Sequence, residues 1–348
     1  MTIKISKPEI NVRERLKELQ KPSGIAGEAM LRAETPQEQF GLIGAGRKNF
    51  TRNGAMQIWQ RGTSFSGNDT DANDYFADKW FMGTNTNAIT IAKQSGVSIP
   101  GLGTKNNTLK LTLGATAGFD LYQAYEDWEH LSNKTVTISF WYRHTMPSLV
   151  IRQWSTNSWA TVPSSDEWAY FSKTFTLGTL VAGSRAANTP TIGFWSNSVN
   201  GVSGDTLEFT NYQLEIGSTA TPFEHLCYGE ELALCQRYYT RINVKVYSYI
   251  TEVQKHGGNQ YRAAIHLPTP MRIIPSISFA GLATWYGSGS LSAGFSAIVS
   301  GYTPVQGDIS IMPLTLTPTS MVLANFQVGM LSADNTANTQ YLAFSADV

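Results

Sequence analysis

The sequence predicts an all-β protein: a jelly-roll β-sandwich followed by a second β-rich C-terminal domain, with a short helical N-terminal arm and one linker helix. Three observations predict it. Apolar and polar side chains alternate with a period of two, as in Leu109, Leu111 and Leu113 against Thr108, Lys110 and Thr112. Clusters of Gly, Asn, Asp and Ser separate these runs, as at Ser66-Gly67-Asn68-Asp69 and Asn197-Ser198-Val199-Asn200-Gly201. No helical pattern alternates with the strands, which disfavours a parallel α/β sheet.

The arm, residues 1–46, carries two helical signals. Val12, Leu16 and Leu19 fall at i, i+4 and i+7, and Pro22 and Gly24 end that helix. A second helix starts at Thr35-Pro36-Gln37-Glu38, a capping box with proline in its first turn. Helices this short are marginal alone, so the arm must dock, either on its own chain or on a partner.

Residues 47–217 read as the jelly roll. Val136, Ile138, Phe140 and Tyr142 interleave with Thr137, Ser139 and Trp141 in one strand, and Tyr170 to Thr176 and Leu207 to Phe209 continue the series. Residues 218–239 form a linker and a helix from Gly229 to Tyr239. Residues 240–348 are the second β-domain, with strands expected at Ile242–Ile250, Tyr261–Leu267, Ser276–Phe279, Met321–Val328 and Gln340–Phe344. Cys227 and Cys235 are the only cysteines. Eight helical positions, at ~1.5 Å each, set them ~12 Å apart, too far for a disulfide.

Charge narrows the function. The chain holds 26 Lys+Arg and 26 Asp+Glu, and charged residues are only 15% of it, against roughly 25% in ordinary soluble proteins. A nucleic-acid binder would need excess basic residues to displace counterions. No run of ~18 apolar residues suggests membrane insertion, and the N-terminus lacks the apolar stretch of a secretory signal. Residues 1–48 carry nine Lys/Arg and six Asp/Glu, whereas the hundred residues 249–348 carry seven charges in all. So little charge fits a neutral polar surface or one packed against identical chains.

Several stretches resemble one family. Asn53-Gly54-Ala55-Met56-Gln57-Ile58-Trp59-Gln60-Arg61-Gly62, then Tyr75-Phe76-Ala77-Asp78-Lys79-Trp80, resemble the opening of jelly-roll domains in tail fibres of tailed bacteriophages. Glu126-Asp127-Trp128 and Thr137-Ile138-Ser139-Phe140-Trp141 are similar to that domain's middle. Tyr212-Gln213-Leu214-Glu215-Ile216-Gly217 through Thr221-Pro222-Phe223-Glu224, and Glu230-Glu231-Leu232-Ala233-Leu234-Cys235-Gln236-Arg237-Tyr238-Tyr239, resemble its exit. The arm, with Pro8-Glu9-Ile10-Asn11-Val12-Arg13, is similar to N-termini of marine phage fibres, and Pro268-Thr269-Pro270-Met271-Arg272 resembles a segment near fibre C-termini. The resemblance implies a trimeric fibre in the virion tail, made in the host cytoplasm. It implies attachment to the tail or an adaptor protein through residues 1–46, and a domain shaped like a carbohydrate-binding module. Many relatives carry an acidic residue where Ala55 stands, which lowers the expectation of a structural calcium.

On this reading the partners are two further copies of the chain, a tail protein, and a host-surface glycan or lipopolysaccharide. Sugar binding needs flat aromatic faces among hydrogen-bonding groups. Trp154, Trp159 and Trp195 sit in polar settings, with Tyr142 and Arg143 ranked behind them. Trp59, Trp80, Trp128, Trp141 and Trp168 read as core. The helix is expected to bundle about a threefold axis through Leu232, Ala233 and Cys235. No cofactor is expected. The turn with Asp69, Asp71 and Asp74 offers calcium-type oxygens but lacks the glycine and closing glutamate of an EF-hand. Glu126-Asp127 and Asp166-Glu167 are adjacent, so on a strand they face apart and suit no paired acid–base role. The five histidines show no metal spacing. A non-catalytic protein is expected, with a collar or adaptor fibre or capsid decoration as the alternative to a receptor binder.

Overall fold

The computed structural model describes residues 47–346 except 67–74, 84–88, 127, 154–157, 181–190, 197, 246–248, 258–259, 281, 287–289, 301–310, 319–327 and 334–339. The anchoring residues Val12, Leu16 and Leu19, the acidic turn with Asp69, Asp71 and Asp74, and Trp154 therefore lie outside the described residues.

The first unit is built from β1 (Ser64–Ser66), β2 (Phe81–Met82), β3 (Ile89–Ile99), β4 (Gly103–Leu113), β5 (Asp120–Ala124), β6 (Thr135–His144), β7 (Val150–Gln153), β8 (Ser158–Thr161), β9 (Ser165–Thr176), β10 (Thr191–Trp195) and β11 (Thr206–Ile216). They form two antiparallel sheets, ordered β1-β3-β4-β11-β6-β9 and β2-β5-β10-β7-β8, and so a β-sandwich. The period-two pattern explains the packing. Val136, Ile138, Phe140 and Tyr142 of β6 all point into the core with Leu109, Leu111 and Leu113 of β4, while Trp141 points the other way. At the centre, Trp80 is fully buried with Phe209 at 5.0 Å and Tyr212 at 5.1 Å, and Phe140 stacks on Tyr212 at 5.2 Å.

The opening motif is a hydrogen-bonded knot. Asn53 takes φ 53°, which asparagine tolerates better than most residues. Its Nδ2 donates to the carbonyls of Ile58 (2.8 Å) and Asp78 (3.1 Å), and its Oδ1 accepts from Ile58 N–H (2.9 Å). Trp80 Nε1 donates to its carbonyl. The motif residues are thus there to close the end of the sandwich.

Helix α1 (Tyr228–Gln236) follows, starting after Cys227 with Glu230 and Glu231 in its first turn, where acidic side chains suit the helix dipole. Cys235, expected at a threefold axis, is instead fully buried within the single chain, among Asp78, Lys79 and Glu231. Its spacing from the other buried helix residue, Glu231, directs both into the sandwich end, because residues four apart share a face. Leu232 and Ala233 stay partly exposed. Burial pushes the Cys235 thiol well above its ordinary range, and Cys227 is exposed and free.

The second unit contains β12 (Tyr239–Val244), β13 (Tyr249–Gly257), β14 (Gln260–His266), β15 (Ser276–Ala280), β16 (Leu282–Tyr286), β17 (Ser290–Ser300), β18 (Ile311–Pro318), β19 (Val328–Ala333) and β20 (Gln340–Ser345). The expected strand over 242–250 is two strands, β12 and β13, which belong to different sheets. Strands β12-β20-β15 form a three-stranded sheet, and β13-β14-β18-β17-β16-β19 close into a barrel. Closure leaves the barrel without unpaired edges, which suits a chain with few charges to guard them. In β18, Met312, Leu314 and Leu316 are buried and alternate with Pro313, Thr315 and Thr317. Among the described residues, no helix is long and apolar enough to cross a membrane.

A polar junction ties the units together. Arg237 donates to Glu126 through Nη2 (2.6 Å) and Nε (3.2 Å), and the Tyr238 hydroxyl donates to the same carboxylate (2.6 Å). Burial works to raise the Glu126 pKa, but these bonds outweigh it and hold the carboxyl below its ordinary range. Arg61 lies over the Tyr239 ring at 3.6 Å, and Lys79 over the Tyr238 ring at 3.5 Å. Glu231 accepts from Asn53 N–H at 2.5 Å. Burial dominates there and raises its pKa.

Candidate functional site

The residues expected to bind a glycan do not meet in one place. Tyr142 is 3% exposed, because strand alternation turns it inward beside Phe140 and Phe171, and its hydroxyl donates to the Pro163 carbonyl (2.9 Å). It is a core residue. Arg143 faces outward but is committed: Nε and Nη2 both donate to Glu208 Oε2 (2.9 and 2.7 Å), and its guanidinium lies 5.1 Å from the Trp168 ring. Glu208 is only 2% exposed, so Arg143 neutralises a buried charge and is not spare for a ligand. Trp195 ends β10 on the five-stranded sheet, opposite in direction to the core residue Phe194, with the Arg152 guanidinium 4.1 Å from its ring. Trp159 lies in β8, in register with Arg152.

A different set of side chains forms a groove, on the outer face of the six-stranded sheet. Trp141 of β6 and Tyr170 of β9 are cross-strand partners, with ring centroids 5.5 Å apart and planes tilted by 55°. Tyr170 is 49% exposed. Trp141, read from sequence as core, lines this groove, because Tyr142 and Phe140 on either side of it point inward.

The adjoining strand supplies the floor. Between Thr210 and Gln213 the β6–β11 register slips by one residue, so Asn211 and Tyr212 together face Phe140. This is a β-bulge. Asn211 accommodates it at φ 51°, which lets Tyr212 stay in the core while Asn211 lines the outer groove. Asn211 is 5% exposed, and its Nδ2 has no hydrogen-bond partner among the described residues.

The far wall is the exit segment, which crosses the sheet after β11. Thr137 Oγ1 donates to the Gly217 carbonyl (2.9 Å) and Thr174 Oγ1 to that of Ser218 (3.0 Å). Glu215 accepts from Thr221 N–H (2.9 Å) and Oγ1 (2.6 Å), and Gln213 Oε1 accepts from Glu224 N–H (2.9 Å). Glu224 in turn accepts from the backbone N–H groups of Lys48 and Asn49 (3.0 and 2.7 Å). Held this way, Phe223 and His225 pack edge to face at 4.8 Å and close the groove opposite Trp141. The groove volume is about 470 Å³, and among the described residues no Asp, Glu, Lys or Arg lines it. Aromatic faces, a polar floor and a concave shape suit a small uncharged polar ligand.

A larger groove of about 550 Å³ opens between the end of β12 and strands β13 and β14. Its walls are Ile242, Val244, Ile250 and Ile265, with Tyr249 and His266 exposed beside them. It has no opposed aromatic pair and no unpartnered buried polar atom among its described residues.

Sequence reasoning missed Trp141, Tyr170, Asn211, Phe223 and His225. One signal was available for Trp141: if Tyr142 alternates with it and one is core, the other faces out.

No protein-family model matches the chain, and no curated protein matches it in sequence. Among solved structures the chain is similar to a carbohydrate-binding module, TmCBM61, in complex with β-1,4-galactotriose, at 14% identity over 49% of this chain and 100% of that one, TM-score 0.31. It is similar to a CBM22 xylan-binding domain from Paenibacillus barcinonensis at 9% identity, covering 45% and 94%, TM-score 0.27. It is also similar to a cyclase from Fischerella sp. at 10% identity, covering 51% and 100%, TM-score 0.32. About half of this chain takes part in each similarity, at identities and TM-scores too low to carry a ligand or an activity across.

Proposed function

We propose that this chain is a structural protein of a tailed-bacteriophage tail fibre, and that its sandwich binds a host-surface glycan during adsorption. The observation that carries the binding role is the outer-face groove, where the Trp141–Tyr170 pair faces Phe223 over Asn211, whose Nδ2 has no hydrogen-bond partner among the described residues. The fibre role is supported by the resemblance of the opening, middle and exit stretches to fibre jelly rolls. In this reading residues 1–46 attach the fibre to the tail or an adaptor protein. Three copies assemble, with α1 contributing its partly exposed Leu232 and Ala233. The protein is non-catalytic and works by avidity: three weak sites per fibre, multiplied over several fibres, give tight yet reversible attachment.

Purified full-length chain should block phage adsorption to host cells, and the Trp141→Ala, Tyr170→Ala double variant of equal assembly mass should not. Wild-type chain that fails to block at any concentration would overturn the receptor-binding role and favour a collar or adaptor fibre. Equal blocking by wild type and variant would move the site away from the groove.

A further inference from the structure

The groove's chemistry narrows its ligand. Its floor holds one polar group with an unmet need: Asn211 is 5% exposed, lines the groove, and its Nδ2 donates to nothing among the described residues. A buried donor left unpaired is costly, so a ligand that supplies an acceptor there gains more than an ordinary surface contact would. A half-turn of the amide exchanges its nitrogen and oxygen, so the side chain can turn its donor toward whatever occupies the groove. Around it most of the lining is apolar, with Leu102 from the β3–β4 turn and Ala220, Pro222 and Phe223 from the exit segment, while Ser139, Thr221 and His225 add polar groups. A sugar hydroxyl set against those side chains would lose water without a partner, whereas a methyl group would fill the space favourably. Among the described residues no Lys or Arg lines the groove, so a carboxylated sugar would find no permanent cation there to compensate its charge.

Resting on the reading of this groove as a glycan site, we propose that it selects sugars carrying an acetamido group. The acetamido carbonyl accepts from Asn211 Nδ2, its methyl packs among Leu102, Ala220 and Pro222, and the pyranose ring stacks on Trp141 or Tyr170. The class is a neutral N-acetylated hexosamine, free or within a surface polysaccharide.

Saturation-transfer NMR on the full-length chain tests this, with N-acetylglucosamine and N-acetylgalactosamine against glucose and galactose. At least one acetamido sugar should bind at least tenfold tighter than its parent, with the strongest transfer to the acetyl methyl. Asn211→Asp, assayed at pH 8 to favour its ionised form, keeps a residue that tolerates positive φ but replaces the amide donor by a carboxylate that only accepts. That variant should bring the preference to within about twofold, and Asn211→Gly, which also suits the bulge, should do the same. Parent and acetamido sugars binding equally to wild type would overturn the selectivity and leave the glycan groove standing. A preference that persists in both Asn211 variants would overturn the role of the amide. If none of the four sugars binds, and xylose and cellotriose fail as well, the glycan reading falls with it.

Discussion

The tryptophans of the sandwich divide between two tasks, and substitution should separate them. Trp80 is fully buried between the sheets, with Phe209, Tyr212 and Phe194 around it. An aromatic of this size buries ~200 Å², which at ~25 cal/mol per Å² is roughly 5 kcal/mol of transfer free energy. Large-to-small substitutions of buried Phe or Trp cost about 3–5 kcal/mol, so Trp80→Ala should remove a large part of the 5–15 kcal/mol typical of a domain. For a unit of about 170 residues, each kcal/mol lowers the melting midpoint by about 2–4 °C. The expected drop is about 10–15 °C in the sandwich transition. Trp141 differs: it packs on one side against Tyr170 and is open to the groove on the other. Roughly half the area is at stake, so Trp141→Ala should cost about 2 kcal/mol, about half the cost of Trp80→Ala, and lower the midpoint by about 4–8 °C. Calorimetry of the full-length variants reads both shifts. A drop for Trp141→Ala as large as that for Trp80→Ala would make Trp141 a structural core residue and refute the groove.

Three further outcomes are expected. Glu126 has a folded pKa below its ordinary value, so the stability it contributes is present above about pH 4.5 and is lost as pH falls through the lowered value. Glu126→Gln should cost about 1 kcal/mol at pH 7, discounted for the junction's partial exposure, and should flatten the acid limb of a urea-midpoint-versus-pH curve; an unchanged limb would remove Glu126 from the junction's energetics. Glu231 is the opposite case: its pKa is raised by burial, so its ionised form costs stability as pH rises above the ordinary carboxylate range. Glu231→Gln keeps an oxygen for Asn53 N–H and should leave stability at pH 7 equal or higher, with a marked loss in chemical unfolding counting against the burial argument. Finally, a Cβ on Gly193 would stand 2.3 Å from the Leu121 carbonyl oxygen and 2.4 Å from Tyr122 Cα. Backbone cannot yield as a side-chain tip can, so Gly193→Ala should destabilise the sandwich by about 3 kcal/mol or more, and a midpoint within a degree of wild type would show that β5 and β10 are not so closely paired.

Much of the fold was legible in the sequence. The alternation in Leu109–Leu113 and Val136–Tyr142 correctly marked strands that bury those leucines, Val136, Ile138, Phe140 and Tyr142. The helix was legible in its first two turns, where Glu230 and Glu231 suit its N-terminus, but it runs from Tyr228 to Gln236, and Tyr239, expected in the helix, begins β12. The barrel strand β17 was not legible, because Ser, Gly and Ala fill much of it and leave little contrast between faces; β18 does alternate, but Pro313 inside the run argued against a strand. Tyr142 as a ligand residue contradicted the strand pattern that contained it. Cys235 was misread because an apolar helix face states that something covers it, not whether the cover is another chain or the chain's own sandwich.

What the sequence by itself determined is therefore the period: which residues are strands, which face of each strand is apolar, and where the turns fall. Such properties are carried by neighbouring residues and need no knowledge of the rest of the chain. The groove was decided by tertiary structure alone. Trp141 meets Tyr170 only through the β6–β9 register, Asn211 reaches the floor only through a bulge, and Phe223 becomes a wall only because the exit segment is tied back across the sheet. Each depends on hydrogen bonds between segments far apart in sequence, and a concave surface exists only after those distant pairings have formed.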